Sequence, residues 1–312
     1  METYVDPHLS WRLIGPDDGT ELDHFRDQLD VLDNSVLSGI AASMASSEMV
    51  VVPGQAVGGW DPYQSLSAYG INYTSADPEP RAYLMGGVHP THRHLGIGNS
   101  LLHWQVNQAI AWRDVHHPGR PLWLGCYAEL DRPGLDRVAE HFGFQPERCY
   151  FDLLRDLADP VPLWVPEGVT LESFVPARSE AVRRLHNICS RDVGGAEVSE
   201  DLWVQRLRDE DFRHDWSYLA TVDGMVVGYA MSGLDDSGAG WTERFGVHPD
   251  HRGRGIALAL LASCLRAMRE SGCAEAGIGI DTADEAGVQS LAAGLGYTTR
   301  DAVALLAKVV PG

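Results

Sequence analysis

No stretch of this 312-residue chain approaches the ~18 consecutive apolar residues that a membrane-spanning helix requires. The start, Met1-Glu-Thr-Tyr-Val-Asp-Pro-His8, lacks the basic segment followed by an apolar one that marks a secretory leader. Cysteine is scarce: Cys126, Cys149, Cys189, Cys264 and Cys273 are an odd, scattered set without a Cys-x-x-Cys pair. That pattern argues for reduced thiols over a disulfide framework or a zinc site. A soluble, cytoplasmic protein without a membrane partner is expected. Positive charge is also short, 24 Lys and Arg against 44 Asp and Glu, for a formal net charge of −20. Nucleic acid and anionic membrane surfaces both demand a basic face, so neither is expected as a partner. An acidic field serves solubility, and it favours cationic partners such as amines. The chain has no Gly-x4-Gly-Lys-Ser/Thr loop, no Gly-x-Ser-x-Gly elbow and no His-Glu-x-x-His pair.

One unusual string is present twice. Val88-His-Pro-Thr-His-Arg-His-Leu-Gly-Ile-Gly98 recurs as Val247-His-Pro-Asp-His-Arg-Gly-Arg-Gly-Ile-Ala257. Each copy reads as a strand end, a tight basic turn and the first residues of an apolar helix. A helix N-terminus leaves backbone N–H groups unpaired and carries the positive end of the macrodipole, and glycines let an anion approach that backbone. Such a turn suits a pyrophosphate.

The length fits about two domains of ~150 residues, and Gly143-Phe144 and Gly296-Tyr297 repeat at nearly the same spacing. The Pro-rich run Asp159-Pro-Val-Pro-Leu-Trp-Val-Pro-Glu167 lies between the copies. A boundary is therefore placed near Asp159, with domains 1–158 and 159–312. In the second half, strands are expected over 169–174, 218–222, 225–231, 241–247, 276–281 and 302–309, with helices over 179–187, 199–207, 255–270 and 285–294. Asp223-Gly224 is a strong hairpin signal between two of those strands. The first half repeats the order less cleanly, with strands over 9–13, 49–52, 84–88, 122–127 and 150–154 and helices over 21–32, 97–112 and 135–142. Its Gly-, Ser-, Pro- and Tyr-rich piece from Pro53 to Pro80 has little periodicity and reads as an irregular hairpin or loop.

Gly-x-Gly after a strand also opens a dinucleotide fingerprint, but the third glycine position holds Leu101 and Leu258. His89, His92 and His94 crowd one turn, yet His248 and His251 repeat two of them, so they belong to the duplicated turn and no metal is expected. Cys264 and Cys273 fit core or surface thiols better than nucleophiles.

The spacing at Arg93-His-Leu-Gly-Ile-Gly98 and Arg252-Gly-Arg-Gly-Ile-Ala257 resembles the Arg/Gln-x-x-Gly-x-Gly/Ala signature of the GNAT superfamily of acyl-CoA-dependent N-acetyltransferases. The resemblance covers nearly the whole chain and implies two tandem GNAT folds, each an α/β fold with a mixed central sheet flanked by helices. A degenerate copy followed by a working one resembles the mycothiol synthase architecture. The resemblance implies acetyl-CoA as acyl donor, no metal, and an amine of a small molecule or peptide as acceptor. It also admits a homodimer. Carried over by position, it assigns CoA binding to Val247, Arg252, Gly253, Arg254, Gly255, Ile256 and Ala257. The first-half counterparts are Val88, Arg93, His94, Leu95, Gly96, Ile97 and Gly98.

A lysine-type amine with a pKa of ~10.4 is only ~0.1% neutral near pH 7.4, so a base or water path must relieve a handicap of ~4 kcal/mol. Glu243 stands on the strand before the second turn, where GNAT enzymes often carry a base glutamate. It sits two positions nearer the turn than in some relatives, which keeps the same strand face if no bulge intervenes. A solvent-facing strand carboxylate is the competing reading. The matching first-half strand, Tyr83-Leu-Met-Gly-Gly-Val88, has no acid, so catalysis is assigned to the second half. Many GNAT proteins carry a tyrosine that protonates the CoA thiolate, and Ala139 and Ala292 stand at its positions, with Glu285 at that of a preceding asparagine. Tyr229 and Ser290 are candidate substitutes. The missing tyrosines keep open a second class of function, a CoA-binding sensor or pseudoenzyme.

Overall fold

The computed structural model describes residues 5–33, 50–75, 79–130, 134–192, 197–235, 238–282 and 285–312. The chain divides into two compact units: Met1–Cys149 with Ala302–Gly312, and Tyr150–Asp301. Both are mixed α/β units, as expected. The division differs from a cut near Asp159, because the chain's last strand belongs to the first unit.

In unit 1 the elements run β1 (Ser10–Leu13), α1 (Gly19–Asp33), β2 (Ala56–Trp60), β3 (Leu66–Ser75), β4 (Arg81–Val88), α2 (Ile97–His116), β5 (Leu122–Glu129) and α3 (Leu135–His141). Strands β1 to β4 pair antiparallel in sequence order, and β4 then meets β5 in parallel. The sheet is completed by β12 (Thr298–Val310), which runs antiparallel to β5 from Val303 opposite Glu129 to Val310 opposite Leu122. Ala304 and Leu306 of β12 share a core with Leu122, Leu124 and Phe144. Lys308, the chain's only lysine, donates to the carbonyl of Phe142 at 2.9 Å and sits over the Phe144 ring. Arg113 donates to the carbonyl of Pro311.

Unit 2 repeats the plan. Its elements are β7 (Thr170–Ser173), α4 (Ser179–Asp192), α5 (Glu200–Leu207), β8 (Phe212–Val222), β9 (Met225–Leu234), β10 (Gly240–Val247), α6 (Ile256–Glu270), β11 (Glu275–Thr282) and α7 (Glu285–Leu295). The strand beside β11 is β6 (Gln145–Asp156), most of which belongs to this unit. Leu157 extends its hold, donating to Ala274 at 2.8 Å and accepting from Arg269 at 2.9 Å. An apolar pattern identifies a strand without specifying its neighbour, which is why β6 and β12 read naturally as the closing strands of their own halves.

The piece from Pro53 to Pro80 is regular where an irregular hairpin or loop is expected. Strands β2 and β3 form an antiparallel hairpin there, with Asp61 accepting from the backbone N–H of Tyr63 and Ser65 at the turn. Nearly every residue of both strands is buried. A strand covered on both faces shows no polar–apolar alternation, so its sequence hides its period. Of the strand expected over 49–52, Val50 makes an isolated bridge to Thr74, and Met49 lies outside the described residues.

The feature that positions the site recurs in each unit. Strand β10 pairs with β11 only from Gly240 to Thr242, although β10 runs on to Val247 paired with β9 on its other edge. Likewise β4 pairs with β5 only from Arg81 to Tyr83. Beyond those points the parallel strands part, and one edge of β4 and of β10 faces a gap instead of a ladder. Cys264 is buried in line with the core reading, Cys126 is buried too, and desolvation pushes both thiols up to about 12.

A chain shortened to end at Asp301 is expected to lose amide hydrogen-exchange protection in β5 while β8 and β9 keep theirs. Unchanged protection across residues 122–129 would show that β12 does not complete unit 1.

Candidate acetyl-donor and acceptor site

The second copy of the repeated string lies where β10 has left β11. After Val247 the chain makes a single helical turn, Pro249–His251, and His248 accepts the N–H of Asp250 through its ring. Gly253 (φ 72°) and Gly255 (φ 80°) then take left-handed conformations that a side chain would strain. Gly255 caps α6 without any side-chain cap. The first helical donor is Ala259, bonded to the carbonyl of Gly255 at 3.1 Å. The N–H groups of Ile256, Ala257 and Leu258 therefore have no carbonyl one turn back.

The two arginines of this turn divide their tasks. Arg252 donates through Nε to the carbonyl of Val247 at 3.1 Å and pairs with Asp192 at the end of α4. Its guanidinium braces the turn against the strand end and α4. Arg254 is exposed, with Nη1 3.2 Å from His251 Nδ1 and Nη2 3.5 Å from the carbonyl of Glu167. Unlike Arg252, it has no carboxylate partner among the described residues.

Unit 1 builds the same turn with different chemistry. Arg93 donates to Val88 at 2.9 Å and binds Asp33 in bidentate fashion at 2.9 and 2.6 Å. Gly96 caps α2 at φ 87°, and Ser100 makes the first helical bond to it. His94 stands where unit 2 has Gly253 and holds the left-handed conformation at φ 63°, at a cost of about 1 kcal/mol relative to glycine. Leu95, exposed, replaces Arg254. The backbone turn leading into Ile97 and Gly98 is preserved, with one cation fewer than in unit 2.

In unit 2 a cleft of about 770 Å³ runs from this turn along β10. Its walls include Val247, Arg252, Gly253 and Gly255–Leu258 from the turn region, Glu243 to Gly246 from the strand, His186 and Cys189 from α4, Tyr229 from β9, and Ser290 and Leu291 from α7. Gly246 is required by close approach: a Cβ there would lie 2.9 Å from the Tyr229 ring and 3.1 Å from the Cys189 sulfur. Tyr229 is almost fully buried, and its hydroxyl shares a 2.7 Å hydrogen bond with Nδ1 of His186. Burial raises the Tyr229 hydroxyl far above the ordinary tyrosine range. Burial, then the charges of Arg244 and Arg206, lowers His186 to about 4. This pair is therefore uncharged at neutral pH. Cys189 donates weakly to the carbonyl of Val247 at 3.4 Å, and burial raises its thiol.

Glu243 reaches the cleft by a route its sequence position does not reveal. The register of β10 on β9 shifts between Thr242 and Arg244, so a bulge does intervene, and Glu243 is the extra residue. Inheritance of a strand face by counting positions fails across a bulge, since the alternation resets there. Glu243 nevertheless lines the cleft, with an exposed carboxylate beside half-buried Arg244. Arg244 is held below the usual arginine range by burial and by Arg206. Ala292 is buried on α7, and Ser290, two residues earlier, lines the cleft. The Glu285 side chain lies outside the described residues. His186, Cys189 and Arg244 carry no motif. Only the packing of α4 against β9 and β10 brings the first two to the site.

The acetyltransferase (GNAT) family profile matches residues 180–297. A mycothiol acetyltransferase of Thermobispora bispora is 30% identical over 246 residues, 76% of this chain and 78% of the relative. One from Stackebrandtia nassauensis is 31% identical over 227 residues, 68% of this chain and 69% of the relative. Among solved structures, a GCN5-related N-acetyltransferase from Sphaerobacter thermophilus superposes with a TM-score of 0.69 at 21% identity, covering 98% of this chain and 97% of that one. A tandem GNAT protein from the clavulanic acid biosynthesis pathway gives 0.55 at 16% identity, covering 97% and 99%. Helix α4 from Glu180 on, helices α5 to α7 and strands β8 to β11 fall within the matched span, and with relatives aligned over 68% and 76% of its length the chain belongs to the GNAT family of acetyl-CoA-dependent N-acetyltransferases.

Proposed function

We propose that unit 2 carries out acetyl transfer from acetyl-CoA to the amine of a small molecule or peptide, with the pyrophosphate held by Arg254 and the amides from Gly255 to Leu258. The observation that carries this reading is the parting of β10 from β11 next to an uncapped helix N-terminus. The pantetheine arm then runs along the unpaired edge of β10 towards Phe245–Val247, and its amides and carbonyls replace the missing ladder. A backbone N–H of this edge polarises the thioester carbonyl as negative charge develops on oxygen.

Glu243 takes the proton of the attacking amine. Its exposed carboxylate at the bulge meets solvent and cleft together, which suits a group that must return the proton to water. As the thioester C–S bond breaks, the thiolate needs a donor, and Tyr229 and Ser290 are two of the hydroxyls on the cleft wall, with Ser190 and Thr282. Burial keeps Tyr229 protonated, so it stabilises a thiolate by hydrogen bonding more readily than by giving up its proton. The name of the curated relatives makes the deacetylated form of mycothiol the first acceptor to test. In unit 1, Leu95 and His94 in place of Arg254 and Gly253 support weaker CoA binding or a structural role.

A second reading, a CoA-binding sensor, draws on Ala139 and Ala292 at the positions of the family's acid. Calorimetry with acetyl-CoA followed by a thiol-release assay across an amine panel separates the two. Thiol release with any amine supports the transferase, and tight binding without release under every amine supports the sensor.

Gly255→Val combines a left-handed φ with a Cβ placed 3.0 Å from the Trp164 ring, and it is expected to weaken CoA binding more than 10-fold. Unchanged affinity would remove this turn as the cradle. Glu243→Gln is expected to cost ~100- to ~10,000-fold in turnover, most at low pH where the amine is most protonated, with CoA affinity nearly intact. Wild-type turnover from pH 6 to 9 would remove Glu243 from the mechanism.

A further inference from the structure

The Pro-rich run within unit 2 does more than connect. Leu157 and Val161 are buried at its start, and the N–H of Val169 bonds to the carbonyl of Pro166 at its end. Between these anchors Pro160, Pro162 and Pro166 restrict the backbone. The carbonyl of Glu167 lies 3.5 Å from Nη2 of Arg254. This rigid stretch presents Trp164 with 67% of its surface exposed, although its ring lies directly against the phosphate turn. A Cβ built on Gly255 would sit 3.0 Å from Cζ3 of the indole. At the matching glycine of unit 1, Gly96, a Cβ would meet nothing within 4 Å among the described residues.

A large aromatic left in water forfeits the burial its surface could gain, and flat indole faces are efficient platforms for nucleobases. On this rim the ring has a fixed charge beside it, because Arg254 is bonded on both sides, to His251 and to the Pro-rich run. We propose that Trp164 forms the subsite for the nucleotide end of the donor, with the adenine stacked on the indole beside the Arg254 guanidinium that holds the pyrophosphate. The inference rests on acetyl-CoA being the donor. The connectivity of that molecule supports it: once the pyrophosphate lies on the amides after Gly255, the adenosine must leave the cleft across its outer rim. Pre-ordering by the prolines lowers the entropic cost of stacking. The subsite also gives the unit a means of preferring CoA thioesters over thioesters of phosphopantetheine alone, which share the reacting end and lack the base.

The test is calorimetry on the full chain with acetyl-CoA and with S-acetyl-4′-phosphopantetheine, using competition against acetyl-CoA for the weaker ligand. Trp164→Ala should weaken acetyl-CoA by about 5- to 100-fold, the range of one base–aromatic stack. The truncated donor should change less than about twofold, and Trp164→Phe should recover most of the loss. Equal weakening of both donors would show that Trp164 only supports the turn, and no weakening of either would show that the base lies elsewhere. Both results overturn the subsite. A wild-type chain that binds the two donors equally well overturns the subsite but leaves the acetyl-CoA reading standing. A wild-type chain that binds neither overturns the donor itself.

Discussion

A parallel strand pair that holds for three residues and then separates is the constraint on which the rest of unit 2 depends. After Thr242, β10 keeps β9 on one edge and loses β11 on the other, so the peptide groups on that edge need either water or a ligand. The bulge at Glu243 coincides with the point of parting. An extra residue increases local twist and interrupts the regular ladder. The helix N-terminus then stands in line with an unpaired strand edge. On the proposed function, one would supply donors for phosphate and the other a ladder for an amide-bearing chain. Neither feature alone would specify a ligand as long and as mixed in chemistry as a CoA thioester.

The braces that hold this arrangement are the same in both units. Arg252 ties the Val247 carbonyl to Asp192, and Arg93 ties the Val88 carbonyl to Asp33. Each arginine spans from the strand end to the last residue of a helix on the chain's earlier side, so the turn is fixed from behind while its amides face forward. A motif residue that reads as a phosphate ligand can therefore be a positioning group whose charge is already neutralised. Arg254 and Leu95 differ between the units because those positions face outward, where phosphate affinity can change without loss of the fold.

What was legible in the sequence was local. Asp223 and Gly224 turn with positive φ at both positions and join β8 to β9 in register from Val222 and Met225, because that turn depends on two residues alone. The repeated string was legible for the same reason. The hairpin over 56–75 was hidden by burial on both faces, and the partners of β6 and β12 depend on edges formed by segments far away in sequence. Glu243 was found as a residue, while the bulge that places it was not, since no side chain in Thr242-Glu243-Arg244 demands one. His186 gave no signal at all. Its role arises where α4 packs on β9, and a histidine with that neighbourhood looks like any other in a helix.

The internal comparison bears on which unit can support proton transfer. Register pairs Tyr69 with Gly87 in unit 1 and Tyr229 with Gly246 in unit 2, so each unit sets a tyrosine over the glycine before its motif valine. A Cβ on Gly87 would lie 3.2 Å from the Tyr69 ring, much as one on Gly246 would crowd Tyr229. The partners differ. Tyr69 has Arg26, whose guanidinium lies 5.4 Å from the ring centre and which also donates to Tyr73. Tyr229 has His186 at 2.7 Å. A guanidinium keeps its charge and accepts no proton, whereas a neutral imidazole offers both a donor and an acceptor nitrogen. The same scaffold position thus carries a fixed cation in one unit and an uncharged tyrosine–imidazole pair in the other, and that second pair lines the cleft that Glu243 also lines.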